Sequence, residues 1–190
     1  MQPDDNLTLG RARGGDEAAA AQLVETHYAR IYCFLRRRAG NDADAADLTQ
    51  RTFGRVWQAQ PAFVGRSSVS SWLHGIARHV YLDWRRSDRR TEARSDEWWS
   101  IQPTTVAGPD EITARNDLAA RIYECVDALE AELCDTIHLH YYQGLKLQET
   151  ADAMGVATST VKYRLRQALA ELQRNLAAEQ PAKSPASLRL

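Results

Sequence analysis

Residues 147–167 read Leu-Gln-Glu-Thr-Ala-Asp-Ala-Met-Gly-Val-Ala-Thr-Ser-Thr-Val-Lys-Tyr-Arg-Leu-Arg-Gln. Leu147, Ala151 and Met154 recur at helical spacing and make one face of a short helix. Gly155 stops it, because glycine enters the left-handed conformation of a helix end without a β-carbon penalty. Thr158 offers a hydroxyl to cap a second, longer helix, whose inward stripe is Val161, Leu165, Ala168, Leu169, Leu172 and Leu176. A short helix, a glycine-bearing turn and a longer helix at this spacing form a helix-turn-helix. Ser159, Thr160, Lys162, Tyr163, Arg164, Arg166 and Gln167 face away from the stripe. The first amides of such a helix can meet a phosphate, and its polar side chains can read base edges in the major groove. Lys162, Arg164, Arg166 and Arg174 against Glu171 give a local charge of +3. The plainer alternative is a solvated helix of an all-α bundle.

Working back towards the N-terminus, two further stripes precede the motif. Leu118, Ile122, Val126 and Leu129 form one; Leu133, Ile137 and Tyr141 form the other, which Gly144 stops. Thr91 to Pro109 lacks periodicity, holds Pro103, Gly108 and Pro109, and reads as a linker. Before it lies a second periodic block. Leu23, Val24, His27, Ile31, Phe34 and Leu35 make a helix that Gly40-Asn41-Asp42 breaks, with an Asn or Asp oxygen to cap the next. That next helix carries Leu48, Thr52, Val56, Phe53 and Trp57 and ends before Pro61. Gly65 to Ser71 is serine-rich and suits a loop. Val69, Trp72, Leu73, Ile76, Ala77 and Val80 then fall on one helical face. No strand pattern stands out. The expectation is an all-α chain: a flexible N-terminus (1–15), a helical domain (16–90), a linker (91–110), a second helical domain (111–177) and a flexible tail (178–190).

The 190 residues carry 24 Lys+Arg against 25 Asp+Glu, a formal charge of -1. That total argues against a histone-like basic coat, but it hides segregation. Arg78, Arg85, Arg86, Arg89, Arg90 and Arg94 against Asp83, Asp88 and Glu92 give a second +3 stretch. Trp72, Tyr81 and Trp84 are interleaved with it, and aromatics beside arginines can stack single-stranded bases while phosphates are neutralised. Trp72 sits on the apolar stripe and reads as core; Trp84 is open to either role. Ser95 to Asp135 holds ten carboxylates against Arg115 and Arg121, a charge of -8, and would avoid phosphate.

Other chemistry is thinly supported. Cys33, Cys125 and Cys134 form no CxxC pair, which suits a reducing, cytoplasmic setting. No signal-peptide core or membrane-length apolar run is present, so no membrane insertion is expected. Cys134, His138 and His140 make an incomplete ligand set, so no metal or cofactor is expected. Asp42, Asp44 and Asp47 are explained by the helix N-terminus they surround. No phosphate-cradling glycine loop and no nucleophile motif argues for an enzyme.

Three stretches resemble one known family. Asp47-Leu48-Thr49-Gln50-Arg51-Thr52-Phe53-Gly54-Arg55-Val56-Trp57 resembles the D-L-x-Q-E-x-F-x-x-x-W segment of the extracytoplasmic-function (ECF) sigma factors of bacterial RNA polymerase. Ser71 to Arg78 resembles their W-L-x-x-I-A-R segment, and Tyr142-Gln143-Gly144-Leu145 with Gly155 to Ala168 resemble their C-terminal helix-turn-helix. The resemblance implies a region 2-like helical bundle and a region 4-like helix-turn-helix domain on a flexible linker. The first would dock on the β′ clamp of core RNA polymerase and help melt promoter DNA; the second would bind the -35 element and the β-flap. Carried over by position, Asp47, Gln50, Arg51, Thr52, Phe53 and Trp57 would meet the polymerase. Arg66, Ser67, Ser68 and Ser70, in the Gly65–Ser71 loop, would hold an extruded -10 base. Arg78, His79, Arg85, Arg86 and Arg89 would follow the melted strand and adjoining phosphates. Ser159, Thr160, Lys162, Tyr163, Arg164 and Arg166 would meet the -35 element. No chemistry of its own is implied.

Several residues depart from the family pattern. Arg51 stands where glutamate is usual, reversing a charge in the clamp contact. Gly75 lies inside a helix at a cost of roughly 1 kcal/mol against alanine. Lys146 replaces a capping Ser or Thr, and Tyr163 replaces a small residue on the reading face. Trp98-Trp99 would thread towards the polymerase, pack on one domain, or meet an anti-sigma protein. The acidic linker between two basic surfaces suggests a free protein held inactive by an anti-sigma factor or by its own domains folding together. The rival readings are a stand-alone helix-turn-helix regulator and a structural helical bundle.

Overall fold

The computed structural model describes the backbone of residues 4–92 and 110–178, and the side chains of 4–87 and 118–177. Helices α1 (Asp5–Arg13), α2 (Glu17–Ala39), α3 (Asp42–Ala59) and α4 (Val69–Glu92) come first. Then follow α5 (Asp110–Asp127), α6 (Ala131–Ile137), α7 (Leu147–Met154) and α8 (Thr158–Ala178). There is no strand among the described residues. Trp98-Trp99 and the heart of the expected linker lie outside the described residues, as do residues 179–190 of the tail.

The N-terminus differs from expectation. Residues 1–15 are read above as flexible, yet Asp5–Arg13 is helical. Asp4 caps it by accepting from the Asn6 amide at 3.0 Å. Leu9 inserts into the core, and Arg13 donates to the backbone carbonyls of Gln60 and Phe63, the latter at 2.9 Å. Leu7 and Leu9 stand two residues apart, and only Leu9 is buried, so the stretch gives almost no helical periodicity and the sequence pattern passed over it.

The next three helices follow the expected breaks. Asp16 accepts from the Ala19 amide at 3.0 Å to start α2, and Gly40, at φ +83°, ends it. Asn41 accepts from the Asp44 amide at 2.9 Å and caps α3. The acidic cluster is taken up locally: Asp42 accepts from Tyr32 at 2.8 Å and from Arg36 at 2.6 Å, and Asp44 accepts from Asn41 at 2.6 Å. A 3-10 turn, Gln60–Ala62, finishes α3 around Pro61. Ser68 accepts from the Ser71 amide at 3.1 Å and starts α4, so the expected Gly65–Ser71 loop is shorter and Ser70 sits in the first helical turn. The buried core takes Leu23, Ile31 and Phe34 from α2, Leu48 and Val56 from α3, and Leu73, Ala77 and Val80 from α4. Trp72 and Trp84 are half-buried against it.

The chain divides into two compact units whose bounds differ from the expected domains. One joins the described part of Met1–Trp99 with His138–Val161; the other joins the described part of Ser100–Ile137 with that of Lys162–Leu190. In the first unit, Leu139, Leu145, Ala153 and Met154 share the core of α2, α3 and α4. His138–Tyr142 form a π-helical turn, with the Gln143 amide donating to the His138 carbonyl at 3.0 Å. Gly144 turns the chain at φ +69°. Lys146 supplies no side-chain cap to α7; instead Glu149 reaches back to its amide at 2.8 Å. Thr158 lies inside α8, and its hydroxyl donates to Gln148 at 2.7 Å rather than capping the helix.

In the second unit, Val126, Leu129, Leu133, Leu165, Ala168 and Leu172 are buried. Leu118 and Leu169, placed on inward stripes by periodicity, are exposed, as is Tyr141 in the first unit. Periodicity fixes a face but not how far a neighbour covers it.

Candidate polymerase and nucleic-acid surfaces

An apolar groove runs between α2 and α3. It encloses about 690 Å³ and is lined by Val24, Tyr28, Asp47, Gln50, Phe53 and Trp57, among others. Tyr28 stacks on Phe53 at 6.2 Å and on Tyr32 at 6.1 Å, which holds its ring upright at the groove wall. Offset aromatic pairs of this kind keep a large apolar face rigid. Asp47, Gln50 and Arg51 are exposed at the groove or its rim, and Arg51 pairs with Asp47 at 2.7 Å. Thr52, carried over as a polymerase contact, is instead fully buried, its hydroxyl donating to the Leu48 carbonyl at 2.7 Å. It lies on the core side of α3, two residues from the exposed Gln50, and cannot touch a partner there. Tyr28 was missed because it sits on a different helix from the quoted motif. The signal for it was an aromatic one residue beyond the apolar stripe at His27.

The second surface is the loop before α4 and the outer face of that helix. Arg66 is exposed, and Ser67, Ser68 and Ser70 are half-buried. Ser68 is occupied in capping and lies 2.8 Å from the Ser71 hydroxyl. The Ser70 hydroxyl is buried with no hydrogen-bond partner among the described residues. Along α4, His79 is exposed with Nδ1 2.7 Å from the Gly75 carbonyl, Arg78 and Arg85 are half-buried, and Arg86 is exposed. Asp83 gathers two cations, Arg55 at 2.9 Å and Arg86 at 3.6 Å. The Arg89 side chain lies outside the described residues.

The third surface belongs to α8. Ser159, Lys162, Tyr163 and Arg166 are exposed and share one face, and Thr160 is half-buried. Arg164 departs from the expectation. Its side chain is only 15% exposed and is ion-paired with Glu132 of α6. It holds α8 against α6 and does not stand free on the reading face. Thr158 to Tyr163 bring the helix start and the Lys162 ammonium close together, where backbone amides and a side chain can meet the same phosphate.

A family model described as Sigma-70 region 2 matches residues 23–91, and one described as Sigma-70, region 4 matches residues 119–172. These place the chain in the sigma-70 class of transcription factors. The ECF RNA polymerase sigma factor SigX of Bacillus subtilis is 30% identical over 158 residues, 81% of each chain. The ECF RNA polymerase sigma factor SigL of Mycobacterium tuberculosis is 31% identical over 175 residues, 88% of this chain and 96% of the other. Among solved structures, CnrH in complex with the cytosolic domain of CnrY matches with a TM-score of 0.70 at 23% identity, over 93% of this chain and 99% of that one. The sigma factor RpoE bound to the anti-sigma factor NepR from Bartonella quintana matches with a TM-score of 0.64 at 23% identity, over 84% of this chain and 98% of that one. At that identity the two structures speak for the fold alone. The chain belongs to the ECF RNA polymerase sigma factors. It therefore binds core RNA polymerase and promoter DNA and acts in transcription initiation; the stand-alone regulator is disfavoured. No helix among the described residues is long and apolar enough to cross a membrane.

Proposed function

We propose that the α2–α3 groove seats the β′ clamp of core RNA polymerase. Its apolar walls, Tyr28, Phe53 and Trp57, would bury against the clamp, with Asp47, Gln50 and Arg51 as a polar rim. Such a centre-and-rim layout is how stable interfaces concentrate their energy. Arg66, Ser67 and Ser70 would catch an extruded -10 base, with Ser68 shaping the loop. Arg78, His79, Arg85, Arg86 and Arg89 would follow the strand. Ser159, Thr160, Lys162, Tyr163 and Arg166 would read the -35 element, while Arg164 positions the helix and the β-flap holds the same domain. Residues 16–90 and 111–177 would act as separate bodies once on the polymerase. The protein would work in the cytoplasm, perform no chemistry itself, and answer to an anti-sigma protein.

The observation that carries this reading is the groove: a stand-alone helix-turn-helix regulator has no use for a rigid aromatic trough on a separate helix pair. The test mixes the protein with core RNA polymerase and a promoter library. A stable complex and discrete transcript starts are expected. Absence of both would return the chain to the regulator reading.

A further inference from the structure

Asp83, on the outer face of α4, collects cations from two helices. Its Oδ2 accepts from Arg55 Nη1 of α3 at 2.9 Å. Its Oδ1 lies 3.6 Å from Nη1 of Arg86, three residues further along α4. The Arg55 side chain is 48% exposed and that of Arg86 71%. Exposed pairs of this kind add little to folding, so their arrangement matters more than their strength. A guanidinium has five N–H donors in a fixed fork, and one carboxylate oxygen uses only part of it. Two half-used forks are therefore held side by side, with donors left over for solvent or a ligand.

By sequence, Arg55 belongs to the 47–57 stretch that resembles the polymerase-binding segment. The structure turns it away from that role. From α3 the groove takes Asp47, Gln50, Phe53, Gly54 and Trp57 among others, and Arg55 is not in its lining. Arg55 reaches across to α4 instead.

The cations of α4 also divide. At about 100° per residue, His79, Asp83 and Arg86 fall within roughly 60° of one another. Arg78 and Arg85 lie on a second ridge, on the order of 100° away round the helix. The residues proposed to follow the strand thus form two ridges, and Arg55 joins the one that carries His79 and Arg86. The His79 ring is fixed on that ridge, with Nδ1 2.7 Å from the Gly75 carbonyl.

Charge and shape narrow the ligand. Arg55 and Arg86 against Asp83 leave a charge of +1 with His79 neutral, so the ridge attracts an anion, and one negative charge neutralises it. A phosphodiester carries one charge, and its two free oxygens match the guanidinium fork. We infer that Arg55 and Arg86 form one shared phosphate site for the promoter strand, with Asp83 as the residue that positions both. Arg55 is then a DNA contact lying within a polymerase-binding stretch. The inference rests on the strand-following role proposed above for α4.

The test measures promoter binding across a salt series by holoenzymes carrying Arg55→Ala, Arg86→Ala or both, with affinity for core polymerase measured beside it. Each neutralised phosphate contributes roughly 0.7 to 0.9 to the log–log salt slope. Either arginine alone still holds a shared phosphate. Each single variant is therefore expected to lose part of that amount, and the double variant the whole of it once. Arg55→Ala is expected to bind core polymerase as wild type does. A double variant that loses about twice the amount has lost two separate phosphates, which overturns the shared site. An unchanged slope overturns the DNA contact, whether or not core binding by Arg55→Ala has weakened. Asp83→Asn gives a test of sign. Removing a negative charge that faces DNA would by itself tighten promoter binding, whereas losing the positioning weakens it. Weaker binding is expected; unchanged or tighter binding removes Asp83 from the site. If the wild-type holoenzyme forms no promoter complex, the proposed function falls and the site with it. A wild-type complex beside unaltered variants strikes the site alone.

Discussion

Arg51 Nη2 lies 2.7 Å from Asp47 Oδ2, one turn earlier on α3, and both side chains are about half exposed. The family's usual glutamate would have repelled Asp47 there; arginine ties it down. An exposed i,i+4 pair contributes only about 0.3–0.5 kcal/mol. Its weight therefore falls on the groove rim rather than on folding. Arg51→Glu is expected to shift the thermal midpoint by no more than a few degrees and to change affinity for core polymerase clearly. Tyr28→Ala, by removing a groove wall, is expected to weaken that affinity at least about tenfold. Titration of labelled protein with core polymerase, beside a melting curve, reads both.

Leu9 links the N-terminal helix to the core. Leu9→Ala removes a buried side chain and is expected to cost about 2–5 kcal/mol in urea unfolding. A flexible N-terminus would give no change.

His74 predicts a pH dependence. Burial foremost pushes its pKa from 6.5 down to about 4; Arg30 and His27 add to the fall, while the Ser70 carbonyl and Gln143 oppose it. Burial lowers His27 as well, against the pull of Asp5. Folded values below the unfolded one mean that the folded state holds the neutral ring. This contribution is intact above about pH 6.5 and is lost as pH falls towards 4. For His74 the loss approaches roughly 3 kcal/mol. Urea midpoints measured across that range should fall with pH, and His74→Leu should flatten the slope.

The face of α8 separates readers from a prop. Lys162→Ala and Arg166→Ala are each expected to weaken promoter binding by the holoenzyme and lower the salt slope by about one. Arg164→Ala is expected instead to cost about 1 kcal/mol of stability through its lost pairing with Glu132, whose half exposure lets water screen the pair. Binding across a salt series, with melting curves, distinguishes the two effects.

Much of this was legible beforehand. The breaks at Gly40, Pro61, Gly144 and Gly155 and the core stripes of α2, α3 and α4 could be read from spacing alone. So could the basic outer faces, since they are local properties of a helix. What escaped depended on neighbours distant in sequence. Thr52 looked available until α3 was turned on its core, and Arg164 looked free until α6 brought Glu132 to it. Tyr28 joined the groove only when α2 lay beside α3. Gly75 read as a defect, because its reason is the Ala153 backbone 78 positions further along.

The central claim is that this chain gives core polymerase a promoter and helps to open it. Permanganate footprinting tests it on a promoter selected with the reconstituted holoenzyme. Reactive thymines should appear across the -10 element when chain and core are both present, and with neither alone. A stable complex that leaves every thymine unreactive, or reactivity that core polymerase produces unaided, would contradict the account.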